Sequence, residues 1–258
     1  MKYIIIFLTI IIYLLFQTSY FKINKIYLKS NKIKDELRIL QISDFHNNYL
    51  INLKKLKTSI DDYKPDLIFL TGDIISRDSK DEKLFKKFLS ILSPYKTYFV
   101  SGNHELENKF IDYKEIIKDY KIVDLDSKLS ELNINSDKIN IYGLGFGENS
   151  IVDGKNSAYN ILLCHNPDTF INSKKHDYDL VLSGHNHGGQ VILPFLGQVI
   201  DHDFNLFPKF SSGLYKLYGS DFYISRGLGQ KIYFRINCRV GIEEIVIKNV
   251  HSFEWTFF

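Results

Sequence analysis

Five of the eight histidines in this chain stand in short polar strings that also carry carboxylate or carboxamide side chains. The strings are Asp44-Phe-His46, Gly72-Asp73, Gly102-Asn103-His104-Glu105, His165 with Asn166, and Gly184-His185-Asn-His187. Oxygen and imidazole donors without thiolate suit Mn²⁺, Fe or Zn²⁺ in a working site better than a structural zinc site. Two ions with four protein ligands each and one shared carboxylate would use Asp44, His46, Asp73, Asn103, His165, His185 and His187. His104 is then left for another task. Residues two apart on extended backbone point the same way, so Asp44/His46 and His185/His187 are each expected to reach one pocket. A D-x-H or G-D pair alone says little, and G-N-H-E also occurs in ordinary loops. Their ordered recurrence is what carries weight. His176, His202 and His251 fall outside the set and read as ordinary structural histidines.

Each string must be held in place by an element, and each follows an apolar run. Arg38–Ser43, Asp66–Thr71 and Lys96–Ser101 read as short strands ending in these polar clusters. Between them, Leu53, Leu56 and Ile60, then Leu84, Phe85, Phe88, Leu89 and Leu92, recur at helical spacing. Strand, polar end, helix, repeated, is the pattern of an α/β domain. In such sheets the ligand crevice lies beyond the carboxyl ends of the strands, where every string falls. Lys138–Tyr142, Tyr159–Cys164 and Tyr178–Ser183 continue the series, and Phe222–Ser225 and Ile242–Val250 suggest further antiparallel strands.

Composition narrows the partners. The 258-residue chain is 45% hydrophobic and 24% charged, with a net charge of +3. Those fractions belong to an ordinary folded protein, long enough to bury a core without cross-links. Near-balanced charge offers no basic groove, so a nucleic-acid partner is not expected. Cys164 and Cys238 are the only cysteines, too few for a disulfide framework or a thiolate zinc site.

Tyr3–Phe16, YIIIFLTIIIYLLF, carries no charge, proline or glycine, and the uncharged run continues to Phe21. It is long enough to span a bilayer as a helix. Gln17-Thr-Ser-Tyr-Phe21 matches a small-residue cleavage site poorly. Residues 1–21 are therefore read as a transmembrane anchor in preference to a cleaved signal sequence, which places the protein at a membrane. The lysines from Lys22 to Lys34 would keep the body in the cytoplasm. A short, lysine-started apolar N-terminus also serves as an export signal, so both sides stay open. Residues 22–37 read as a lysine-rich connector with an edge strand near Ile26 and Leu28, and 38–258 as the catalytic body.

Taken in order, these strings resemble the calcineurin-like metallophosphoesterases from about residue 38 to residue 250. Ser183-Gly-His-Asn-His-Gly-Gly-Gln190 with Cys164-His-Asn-Pro-Asp168 is similar to the membrane-anchored bacterial subgroup. That subgroup includes phosphodiesterases and UDP-diacylglucosamine pyrophosphohydrolases. The resemblance implies an α/β fold, a four-layered αββα sandwich, with two divalent ions (Mn, Zn or Fe) at its strand ends. Asp44, His46 and His187 would hold one ion, Asn103, His165 and His185 the other, and Asp73 would bridge them. A water held between the ions would attack phosphorus in line, and His104 would protonate the leaving oxygen. The implied substrate is a phosphodiester or pyrophosphate, lipid-linked or part of the cell envelope.

Three departures touch the surroundings rather than the ligands. Asn47-Asn48 follows D-x-H where glycine is usual, Ser76 stands where an acid or amide is common, and Cys238–Glu243 lacks a usual proline-glutamate pair. A catalytically silent scaffold on this fold would have lost a ligand, and none is lost. A nuclease or nucleotide phosphodiesterase remains the alternative within the class. His104-Glu-Leu-Glu-Asn108 lacks the second histidine of a zinc-protease helix, and neither G-x-S-x-G nor a P-loop occurs.

Overall fold

The structure, a computed structural model, describes residues 1–151, 153–154, 157–174, 177–200, 206–230 and 234–252. His176 and His202 lie outside the described residues. The chain opens with α1 (Lys2–Ser19), β1 (Lys22–Ser30), β2 (Leu37–Ile42), α2 (Leu53–Tyr63), β3 (Leu67–Thr71), α3 (Lys83–Leu92) and β4 (Thr97–Val100). It continues through α4 (Asn103–Glu107), α5 (Tyr113–Asp119), β5 (Val123–Asp124), β6 (Lys128–Ile134), β7 (Asp137–Leu144), β8 (Tyr159–Cys164), α6 (Pro167–Ser173) and β9 (Leu180–Ser183). A 3₁₀ turn at His187–Gly189 leads to β10 (Val191–Leu193), β11 (Gly197–Ile200), β12 (Gly213–Leu217), β13 (Ser220–Ile224) and β14 (Gly241–Asn249).

Two six-stranded sheets result, ordered β1-β14-β2-β3-β4-β5 and β12-β13-β9-β8-β7-β6, with β10 and β11 as a separate hairpin. Alternation along the strands makes the layers. In β3, Leu67 and Phe69 enter the core shared by both sheets, while Ile68 and Leu70 face helices α2 and α3. In β8, Ile161 and Leu163 meet the shared core, while Leu162 and Cys164 face Phe170 of α6. Helices therefore cover both outer faces, and the four-layered αββα expectation holds.

The expected strands and helices all form, each within a few residues of its sequence bounds. The edge strand expected in the connector is β1, nine residues paired in parallel with β14. The C-terminal strands are less uniform than expected. β14 is antiparallel to β2, but β13 joins β9 in parallel. Strands β2, β3 and β4 are mutually parallel, as are β7, β8 and β9, so their carboxyl ends gather on one side.

Candidate metal centre

The loops leaving β2 and β3 are bound to each other before they hold anything else. Asp44 N donates to Gly72 O at 2.9 Å and His46 N donates to Asp73 O at 3.0 Å. From the second sheet, His185 N donates to both Asp44 carboxylate oxygens, at 3.1 and 3.2 Å. His104 N, in the first turn after β4, donates to Asp73 Oδ1 at 2.8 Å. Four strand ends thus converge on one point.

How the pairs converge differs from the sequence reading. Asp44, His46, Asp73, His185 and His187 all have positive φ, between 48° and 70°. They sit on left-handed turns, not on extended backbone, so D-x-H and H-x-H aim their side chains through tight turns. A left-handed backbone at non-glycine residues costs energy and concentrates at functional sites. The flanking glycines make room for the ligands' own carboxylates. A Cβ on Gly184 would lie 2.5 Å from Asp44 Oδ2, and one on Gly102 would strike Asp73 Oδ1.

The side chains gather in two groups joined at Asp73. In the first, His46 Nε2 faces His187 Nε2 at 3.3 Å, and His187 Nε2 stands 3.8 Å from Asp44 Oδ1. His46 Nε2 is also 3.7 Å from Asp73 Oδ2. In the second, His165 Nε2 lies 3.3 Å from Asp73 Oδ2 and 3.1 Å from His185 Nδ1. Asp44, His46 and His187 form one set able to hold an ion, and Asp73, His165 and His185 another. Asn103 Oδ1 is buried without a hydrogen-bond partner, as a carboxamide oxygen reserved for a cation would be.

The electrostatics fit divalent ions. His165 Nδ1 donates to Thr71 O at 2.8 Å, which leaves the Nε2 lone pair aimed at the Asp73 carboxylate. Two electron-rich atoms at that distance need a proton or a metal between them. Burial pulls the His165 pKa down, but the Asp73 charge overrides it and lifts the ring to about 10. Burial would raise Asp73, yet the His165 charge holds its carboxyl well below the usual range. Burial raises Asp44 to about 7 and lowers His46 to about 3, so the first group is rich in neutral imidazole.

His104 also stands within ligating reach of His46 and Asp73, but its ring is engaged elsewhere. Arg77 N donates to its Nδ1 at 3.1 Å, and Arg77 Nη2 lies 2.9 Å from its Nε2. A neutral imidazole has one acceptor nitrogen, so in either tautomer one of these contacts sets donor against donor. Arg77 lies against His104 and was passed over by sequence reasoning. So was Glu105. Its carboxylate accepts the N–H groups of Asp73, Ile74, Ile75 and Gly102 at 2.7 to 3.0 Å. Only the intact G-N-H-E string hinted at it.

A family model described as calcineurin-like phosphoesterase matches residues 37–189. The chain belongs to the calcineurin-like phosphoesterases. As a member it is a metal-dependent phosphoester hydrolase of a family built on a dimetal centre, and its His/Asp groups are able to bind metal. It is 30% identical over 221 residues to the uncharacterized metallophosphoesterase YkoQ of Bacillus subtilis, covering 81% of each chain. It is 28% identical to the phosphodiesterase YaeI of Escherichia coli over 78% of each chain. The UDP-2,3-diacylglucosamine pyrophosphatase LpxG of Chlamydia trachomatis is 28% identical, covering 75% of this chain and 78% of its own. A solved Staphylococcus aureus structure assigned as a 5′-nucleotidase shares the fold, with a TM-score of 0.51 at 10% identity over 85% of this chain and 56% of that one.

Proposed function

We propose that this phosphoesterase works at a membrane, where it hydrolyses a phosphodiester or pyrophosphate bond in a lipid-linked or envelope substrate. One observation carries the chemistry: two groups of imidazole and carboxylate donors meet at Asp73, with their lone pairs turned toward one another. Asp44, His46 and His187 would hold one ion, Asn103, His165 and His185 the second, with Asp73 shared. When bound, the ions supply Lewis acidity that neutralises phosphate oxygens and activates water. Mn²⁺, Fe and Zn²⁺ all suit this donor set.

The chain's own groups do the rest. Asp73 is fixed by its backbone contacts to Glu105 and by the His104 N–H. Arg77 and His104 Nε2 present donors to a phosphate oxygen, and His104 delivers its proton toward the leaving oxygen as charge develops there. The lipid part rests on α1, an apolar helix long enough to cross a membrane and mostly exposed. The pyrophosphatase activity named for the Chlamydia relative supports the same substrate class.

The test uses the full chain in detergent or nanodiscs, stripped with a chelator and reloaded with Mn²⁺. Turnover is compared for bis(p-nitrophenyl) phosphate, a nucleotide-diphosphate-linked diacyl sugar and a diacyl phospholipid. Activity on a model diester should vanish on stripping and return with metal, and a lipid-linked compound should be the better substrate. A metal-independent rate would overturn the chemistry. A preference for soluble nucleotides would overturn the lipid assignment alone.

A further inference from the structure

The hairpin β10–β11 follows directly on the His185–Gln190 loop and ends in a tip the fold leaves bare. Phe195 is 108% exposed and Leu196 63%, at the turn between Leu193 and Gly197. Leu206 and Phe207 are exposed alongside, and Phe207 N donates to Val199 O of β11 at 2.9 Å. An exposed apolar patch of this kind marks an interaction surface.

The occupant follows from what the hairpin is tied to. Asn237 joins it to α1: its Nδ2 donates to Ile192 O at 3.1 Å, and its Oδ1 accepts from Tyr13 OH at 2.8 Å. Asn237 N donates back to the Tyr13 hydroxyl at 2.9 Å. The helix docks on the body one turn later, where Val240 N donates to Gln17 O and Asn48 Nδ2 donates to Thr18 O. Tyr13 therefore lies about 6 Å along the axis from Gln17, on the apolar side. Ile192, at the base of the tip, shares that level. Around the docking point, the Arg239 guanidinium sits over the rings of Phe16 and Tyr20, and Lys55 Nζ sits over Tyr20. Cationic groups over aromatic rings at this height are what a bilayer interface selects.

We infer that the Phe195–Leu196 tip dips into the bilayer beside α1, a second membrane contact that holds the metal-centre mouth against the lipid surface. The same contacts reach the centre at both ends. Asn48 lies two residues from His46, and Cys238, next to Asn237, donates through Sγ to His187 O. A phosphoester carried on a membrane-embedded chain would then meet the centre without leaving the bilayer. The inference rests on the anchor reading of α1 proposed above.

The test places an environment-sensitive fluorophore at three positions of the full chain in phosphatidylcholine vesicles: Phe195→Cys on the tip, Phe7→Cys in α1 and Asn133→Cys on the exposed face of β6. Leu196→Cys serves as a second tip probe. The buried thiols of Cys164 and Cys238 stay unlabelled in the folded protein. Position 195 should emit further to the blue than position 133, and a quencher on the lipid acyl chain should act on it about twofold more strongly. A tip probe as wet as position 133, while position 7 is embedded, would overturn the hairpin and leave the anchor standing. A wet position 7 would overturn the anchor, and the hairpin with it. No turnover is read, so the result is separate from the choice of substrate.

Discussion

Glu105 fixes the turn that carries Asp73, accepting the Asp73 backbone N–H at 2.7 Å while its other contacts fix Ile74, Ile75 and Gly102. Asp73 has φ of 55°, so the turn that carries it is strained and needs an outside restraint. Glu105 supplies one. Glu105→Ala should strand several buried donors, each worth about 1–3 kcal/mol. The expected result is an unfolding free energy, read from the urea midpoint, lowered by at least about 3 kcal/mol together with loss of bound metal. An unchanged midpoint would remove Glu105 from this role.

Asp73 and His165 set the pH response of the metal-free protein. His165 is raised to about 10, so at neutral pH the ring is protonated, whereas a ligating nitrogen must be neutral. Metal uptake near pH 7.5 should therefore release about one proton from this ring. Calorimetry in two buffers of different ionisation enthalpy measures it directly, and apparent affinity should weaken about tenfold per unit of falling pH. The sign for stability runs the other way. The His165 contribution is complete below the ordinary histidine pKa and is lost as pH rises through about 10. Asp73, held low, contributes above the ordinary aspartate pKa and loses that only in strong acid. Metal binding without proton release would contradict the pair.

Much of this was legible in the residues, and the reasons for the remainder are physical. Two-residue alternation in Leu67-Ile-Phe-Leu70 and helical spacing in Leu84–Leu92 announce the layers, because each face packs on a different core. The donor strings that gather at the centre were legible because their residue types are those a cation would need. Backbone geometry was not. The left-handed turns at Asp44, His46, His185 and His187 follow from cross-loop hydrogen bonds between the two sheets, which no local pattern encodes. The Arg77–His104 contact and the tie of Asn237 to Tyr13 join residues 27 and 224 apart. Such pairings appear only when the chain is folded.

Glycine substitutions can separate the two halves of the centre. Gly184→Ala would press its Cβ onto Ser43 Oγ and Asp44 Oδ2, disturbing first the group that Asp44 serves. Bound Mn²⁺ should fall from about two ions per chain to about one. Gly102→Ala drives into Asp73, which both groups share, so both ions should be lost, as with Asp73→Asn. Elemental analysis of dialysed protein counts them. Equal retention in the two glycine variants would argue against a shared Asp73.

His104 is the residue whose role the structure sharpens most. Its Nδ1 faces the Arg77 N–H and its Nε2 faces the Arg77 guanidinium, so Arg77 positions the ring. Protonating Nδ1 would break the main-chain contact, which sets Nε2 as the donating edge. His104→Ala should lower kcat about 10²–10⁴-fold on esters with poor leaving groups. The loss should be smaller on p-nitrophenyl esters, whose departing oxygen needs little help. Arg77→Ala, by contrast, should raise KM on both types, because it removes a phosphate contact felt before and during reaction. A plot of log kcat against leaving-group pKa separates these cases. A slope unchanged by His104→Ala would confine His104 to holding a non-bridging oxygen and deny it the leaving group.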